Sequence, residues 1–151
     1  MISDPKKRVL FVCIGNACRS QMAEAFAMAY GSDVLIAASA GLAPATAVHP
    51  VTAKAMEEKN IDLKDHFPKA LRHLGRAQFD IVVNMSGSFL PDPPAGQIID
   101  WDIDDPVFMD WEEHCEIRDE IERRVMALIT QLRRTPEAKF RGQGSGRVEL
   151  K

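Results

Sequence analysis

Short unbroken apolar runs alternate along this chain with longer stretches of mixed polarity. Residues 9–12, Val-Leu-Phe-Val, are continuously apolar and rich in β-branched or aromatic side chains, as expected of a strand buried on both faces of a parallel sheet. Residues 33–40 and 79–84 predict a second and a third strand, and residues 97–100 a shorter fourth. Between them lie helical stretches. Residues 21–30 are rich in Ala, Met and Glu and predict a helix beginning near Arg19; Pro50 suits the first turn of a helix over 50–60; residues 68–76 predict a short one. A long amphipathic helix is expected over 111–134, with Ile117, Ile121, Val125, Leu128 and Leu132 on one face. Residues 86–96, with Pro91, Pro93 and Pro94, read as an irregular loop, and residues 135–151, rich in Gly, Lys and Arg, as a disordered tail. Strands alternating with helices imply an α/β fold, a four-stranded parallel sheet with helices on both faces, in one domain over 1–134. Ligands of such sheets bind beyond the carboxyl ends of the strands, where Cys13, Ser39, Asn84 and Asp105 all fall.

The first strand-to-helix turn carries the chemistry. The strand stops at Cys13 and the helix starts near Arg19, so the turn has backbone N–H groups that no ladder claims. Gly15 permits a positive φ, and Asn16 is among the few other residues that tolerate the left-handed region. Free amides at a helix N-terminus form a site for a phosphate-like anion, here lined by Ile14, Gly15, Asn16, Ala17, Cys18, Arg19 and Ser20. The same positive field favours a thiolate at Cys13. The planar fork of Arg19 can grip two oxygens of a tetrahedral anion. Ser20 is placed to donate to the sulfur. A Cys six residues before an Arg is by itself a weak pattern, and a buried structural cysteine is the alternative. The strand, the Gly-Asn turn and the helix around it turn the balance toward a nucleophile.

Composition narrows the setting. The chain has 151 residues, 46% of them hydrophobic, enough to bury a core without staples. Its formal net charge of -3 offers neither a broad basic footprint for nucleic acid nor a polybasic membrane anchor. Residues 1–8 are charged and lead directly into the first strand, so no signal peptide is expected, and no run is long enough to cross a membrane. Three cysteines, two of them in one loop, argue for a reducing cytoplasm. His49, His66, His73, His114 and Cys115 stand at no familiar zinc spacing, and neither metal nor cofactor is expected.

The stretch Val-Leu-Phe-Val-Cys-Ile-Gly-Asn-Ala-Cys-Arg-Ser-Gln-Met-Ala-Glu, residues 9–24, closely resembles the signature of low-molecular-weight protein tyrosine phosphatases and of the arsenate reductases built on the same fold. Ser39-Ala40-Gly41 and Asp105-Pro106 resemble the family's other markers in order and spacing. The resemblance implies Cys13 as nucleophile, Arg19 as oxyanion clamp and Asp105 as the acid that protonates a leaving group and then activates water. Pro106 restricts Asp105 away from the helical region. By the same resemblance Asn16 is held by Ser39 and His66, bonds that lock the loop. His66 as a solvated loop residue is the alternative. Cys18 resembles a loop cysteine able to form a reversible disulfide with the nucleophile, or else it is a small apolar filler. His49, His73 and His114 read as surface or capping groups, and Cys115 as packing.

Two departures divide the functional expectation. Val107 stands where the phosphatases usually carry an aromatic wall, and residues 43–48 hold no aromatic residue, although Phe108, Phe89 or Trp111 are candidates to replace the wall. Gln21 resembles the arsenate reductases, yet the loop after the third strand lacks the two cysteines of the thioredoxin-coupled enzymes. The first expectation is a phosphatase acting on a phosphotyrosyl protein or small aryl phosphate through a Cys13 thiophosphate. The alternative is an arsenate reductase using Cys13 and an external thiol, glutaredoxin or a low-molecular-weight one. A non-enzymatic oxyanion-binding module comes third. No nucleic-acid or membrane partner is expected.

Overall fold

The computed structural model describes residues 5–90, 95–134 and 147–149. Its elements run β1 (Lys7–Cys13), α1 (Arg19–Gly31), β2 (Leu35–Gly41), α2 (Pro50–Glu57), a 3₁₀ turn (Leu71–Leu74), β3 (Phe79–Asn84), β4 (Ala95–Asp100), α3 (Trp111–Arg134) and β5 (Arg147–Glu149). The strands form one parallel sheet in the order β2-β1-β3-β4-β5. Cys13 pairs with Gly41, and Val12 with Asn84. β1, which ends at Cys13, is therefore interior to the sheet, and its carboxyl end opens between β2 and β3.

The four expected strands are present, and β5 adds a fifth beside β4. The tail expected to be disordered thus holds a strand at Arg147–Glu149, whose backbone pairing composition alone does not reveal; residues 135–146, 150 and 151 lie outside the described residues. The expected helix over 50–60 ends at Glu57, and Asn60 follows in the left-handed region at φ 60°. The helix expected over 68–76 contracts to the single 3₁₀ turn. Residues 91–94 of the proline-rich loop lie outside the described residues, and β4 begins at Ala95 rather than at residue 97.

The period-two alternation of the strands divides the core. Val9, Phe11, Ile81, Val83 and Ile99 face one side, where Met22 and Phe26 of α1, Met56 of α2 and Ile121, Val125 and Leu128 of α3 cover them. Leu10, Val12 and Val82 face the other, covered by Leu90 and by Leu71 and Leu74 of the 3₁₀ turn. The two faces are covered unequally: among the described residues the second has only the 3₁₀ turn and its flanking segments. All three α-helices contribute to the first layer, and that layer reaches the end of the sheet where the turn after β1 sits.

Candidate active site

The turn over residues 14–18 joins the last residue of β1 to the first of α1. The segment after β2 runs alongside it. Amides of Leu42, Ala43, Ala45 and His49 donate to the carbonyls of Cys13, Ile14, Gly15 and Ala17 at 2.8–3.1 Å. Gln21 Nε2 donates to the Asn16 carbonyl, and Met22 N to that of Cys18, both at 3.0 Å. Across a trans peptide N–H and C=O point in opposite directions. Every carbonyl from Cys13 to Cys18 is thereby tied, which leaves the amides of the turn on the opposite sides of their peptide planes. The shape of the turn is thus held by partners from β2 onward and from α1.

Of the two residues expected to tolerate the left-handed region, Asn16 takes it, at φ 50°, and Gly15 does not. Gly15 lines the cavity, and a Cβ there would make only ordinary contacts, 3.9 Å from Ala17 and Ala45 Cβ. Close approach is needed at Gly41 instead: a Cβ would lie 2.7 Å from the Ile14 carbonyl oxygen and 2.9 Å from Asn16 N.

Cys13 is buried, with its Sγ 2.9 Å from Ser20 Oγ, as the sequence led us to expect. Ser20 Oγ also accepts from Asn16 Nδ2 at 2.7 Å, which leaves the hydroxyl proton for the sulfur. Arg19 is anchored through Nη1 by the Met85 and Ile103 carbonyls. Its Nη2 lies 3.5 Å from Asp105 Oδ2, and its buried Nε makes no hydrogen bond. Nε and Nη2 form one edge of the guanidinium, the edge that binds two oxygens of a tetrahedral anion. Asp105 stands at the rim, half-exposed, with Oδ1 accepting from Val107 N at 3.1 Å.

The residues expected to hold Asn16 are placed differently. Ser39 donates to Glu24 Oε1, and its carbonyl accepts from Lys69 Nζ at 3.3 Å. Asn16 Oδ1 is taken by Lys69 N at 3.0 Å and Gln21 Nε2 at 3.2 Å, so the amide already has its partners from another side. His66 reaches the turn at one remove, through Nδ1 and Gln21 Oε1 at 2.9 Å. Gln21 and Lys69, given no structural role by the sequence, are the residues that hold the Asn16 side-chain oxygen. Desolvation holds the Lys69 ammonium below its ordinary value, opposed by Glu24. Asn84 is not brought to Cys13: its side chain bonds the Ser88 carbonyl and Asp100 Oδ1 and lines a separate cleft of about 360 Å³.

His114 reverses the expectation of a surface or capping group. It is 0% exposed, and Nε2 lies 2.8 Å from Thr52 Oγ1, itself fully buried on α2. Helical period gave a signal that was missed, since His114 precedes Ile117 and Ile121 by three and seven residues and so shares their buried face. Burial and the adjacent His49 ring, 5.7 Å away, keep the His114 imidazole below its ordinary value and hence neutral. Burial pushes the Cys18 thiol up to about 11. His49 does cap α2, accepting from Val51 N at 3.2 Å, and His73 is exposed.

The cavity above Cys13 measures about 150 Å³ and is lined by turn residues together with Ala45, Asp105 and Val107. Among the described residues no aromatic side chain lines it. Phe108 is 97% exposed, Phe89 lines the separate cleft, and Trp111 also stays outside, so none replaces the expected wall.

The sequence profile described as low molecular weight phosphotyrosine protein phosphatase matches residues 8–138. An arsenate reductase of Bacillus cereus is 40% identical over 126 residues, which are 80% of this chain and 92% of that protein. A glutaredoxin arsenate reductase of Synechocystis is 33% identical over 130 residues, 83% of this chain and 98% of that one. Among solved structures, an arsenate reductase in the phosphate binding state superposes with a TM-score of 0.75 at 32% identity, covering 83% of this chain and 98% of its own.

Proposed function

The chain belongs to the low molecular weight phosphotyrosine protein phosphatase family, and within that family we propose that it works as an arsenate reductase whose electrons come ultimately from an external thiol. The observation that carries this reading is the cavity of about 150 Å³ with Ala45 and Val107 for walls. A tetrahedral oxyanion fills such a space, whereas a phenyl ring finds no stacking face. Relatives named arsenate reductase support it. Gln21, the residue whose identity pointed the same way in the sequence, is the buried hub between Asn16, His66 and the Phe67 carbonyl.

In this reading arsenate enters with its oxygens on the turn amides and on Nε and Nη2 of Arg19. The Cys13 thiolate attacks arsenic, with Ser20 donating to the sulfur. Asp105 supplies the proton with which one oxygen leaves as water. In the resulting S–As(V) adduct, a thiol attacks the Cys13 sulfur and arsenic departs with the bonding pair as arsenite. A disulfide remains for glutaredoxin or a low-molecular-weight thiol to reduce.

The second reading keeps the same first step. A phosphate monoester attacked by Cys13 would expel its alcohol with a proton from Asp105, whose place beside Arg19 suits that role. Arsenite release from arsenate, measured with glutathione and glutaredoxin for wild type and Cys13→Ser, tests the first reading. Release that disappears in the variant is expected. No arsenite with any thiol, alongside brisk vanadate-sensitive hydrolysis of p-nitrophenyl phosphate, would give the site to the second.

A further inference from the structure

We propose that the rim of the cavity above Cys13, with Phe108 at its tip, is the docking surface for a protein reductant whose thiols stand on an apolar tip flanked by Lys and Arg. The inference deepens the reductase reading and rests on it for the arsenic step alone.

Two apolar lips border the cavity, and Ala45 and Val107 line it from either one. Ala45 belongs to an exposed, uncharged segment, residues 43–47, whose Ala43 and Ala45 amides donate to the Ile14 and Gly15 carbonyls at 2.8 and 2.9 Å. Val107 belongs to a tight turn that Met109 N closes on the Pro106 carbonyl at 3.0 Å. Val107 and Phe108 are the two central residues of that turn. The first lines the cavity, and the second stands 97% exposed. Trp111 follows at the start of α3, 42% exposed. Neither aromatic side chain lines the cavity, so neither serves the oxyanion. Large apolar side chains left in water on a fixed turn beside a reactive group are of the kind that anchor a partner protein.

Charge decides the kind of partner. From residue 77 to residue 117 the chain carries ten carboxylates and no Lys or Arg. Asp102, Asp104, Asp110, Glu112 and Glu113, on either side of the Phe108 turn, are exposed. Arg19 lies beneath the rim beside Asp105, and Arg124 reaches the Asp102 carbonyl with Glu120 on its other side, so neither offsets the exposed carboxylates. A surface of one sign draws in a partner of the other and speeds their encounter. Glutathione, with two carboxylates to one ammonium, is repelled by such a rim, as is a phosphorylated segment. Arsenate meets the same repulsion, but Arg19 offsets it inside the cavity and does nothing for a group that stays at the rim. Cys13 is only 2% exposed under a cavity of about 150 Å³, so the reducing thiol has to arrive on a narrow tip. A protein with a dithiol on an apolar tip and basic side chains around it meets each of these conditions.

The step balances. One partner thiolate attacks the Cys13 sulfur of the S–As(V) adduct; the S–S bond forms as the S–As bond breaks, and the S–As electron pair turns As(V) into As(III). Arsenite takes its proton from solvent. The second partner thiol, giving its proton to solvent, attacks the partner sulfur of the mixed disulfide. The partner leaves as a disulfide, and Cys13 is freed as the thiolate.

The test uses two end-blocked peptide thiols, Lys-Trp-Cys-Lys and Glu-Trp-Cys-Glu, with dithiothreitol as the uncharged control. In a Cys18→Ser background Cys13 is loaded as its disulfide with 2-mercaptoethanol, and the rate at which each thiol exchanges with it is read at Cys13 by mass spectrometry. Each rate is divided by that thiol's rate with free hydroxyethyl disulfide. The lysine peptide should react about tenfold faster than the glutamate peptide at low salt, the lower end of electrostatic steering, and molar salt should abolish the difference. Phe108→Ala should slow the lysine peptide severalfold, and Glu112→Lys should cut its advantage severalfold, with the dithiothreitol rate unchanged in both. Equal rates for the two peptides, or a preference that neither substitution lowers, would overturn the docking surface. Arsenite release from arsenate with dithiothreitol is measured alongside on the wild type: its absence, with the lysine preference intact, would keep the surface and remove the arsenic step. A wild-type dimer in sedimentation equilibrium that Phe108→Ala turns into a monomer would give the surface to a second copy of the chain. Phosphopeptide hydrolysis that falls in Phe108→Ala while thiol exchange does not would give it to a substrate protein.

Discussion

Cys13 Sγ and Ser20 Oγ face each other at 2.9 Å across the turn, and the same Ser20 oxygen accepts from Asn16 Nδ2 at 2.7 Å. One hydroxyl thus couples the Cys13 sulfur to the left-handed residue of the turn. Ser20→Ala removes both contacts. A hydrogen bond to a charged group contributes about 1.5–3 kcal/mol, so Cys13-dependent turnover is expected to fall roughly ten- to a hundredfold. Single-turnover kinetics check this, and an unchanged rate would show that the sulfur needs no donor.

Asp105 Oδ2 lies 3.5 Å from Arg19 Nη2 at the rim of the cavity. Asp105→Asn keeps the shape and loses the proton. Arsenate reduction and phenyl phosphate hydrolysis should both drop by about 10²–10⁴ in kcat, with oxyanion affinity much less affected. Steady-state kinetics with phosphate as competitive inhibitor separate the two effects. A kcat unaffected in both reactions would take the acid's role away from Asp105.

Gly41 is pressed against the turn, with room for no Cβ between it and the Ile14 carbonyl oxygen at 2.7 Å. The atoms in the way are backbone, which cannot swing aside as a flexible side chain can. Gly41→Ala should therefore displace the turn and weaken phosphate binding at least tenfold while the protein remains folded. Isothermal titration with phosphate measures it, with circular dichroism as the check on folding.

His114 sets a pH dependence of stability. Its folded pKa lies below the ordinary 6.5, chiefly through burial, so protonation favours the unfolded chain. The stability is fully present above pH 6.5 and is lost as pH falls from there through the folded value. Urea midpoints should decline over that acidic window in wild type and decline less in His114→Gln. Identical slopes in the two proteins would place the acid sensitivity elsewhere.

The contiguous residues from Val9 to Ser20 made the turn between β1 and α1 legible, with Cys13 and Arg19 as the proposed nucleophile and clamp at its two ends, because strand, turn and helix signals there are local and agree with one another. The parallel sheet and the long face of α3 were legible for the same reason: period-two and helical patterns report burial without reference to other segments. What closes the site was not written locally. Ser39 lies at the right place along the chain yet turns to Glu24, and Lys69, dozens of residues from Asn16, supplies the amide that the left-handed turn needs. The bareness of the cavity walls depended on where Phe108 and Phe89 point. Thr52 and His114 meet only because α2 and α3 pack together. A buried polar group takes whichever partner the packing brings within hydrogen-bond reach, and several candidates compete for each. Sequence fixes which groups are available, and only the assembled fold decides which of them meet.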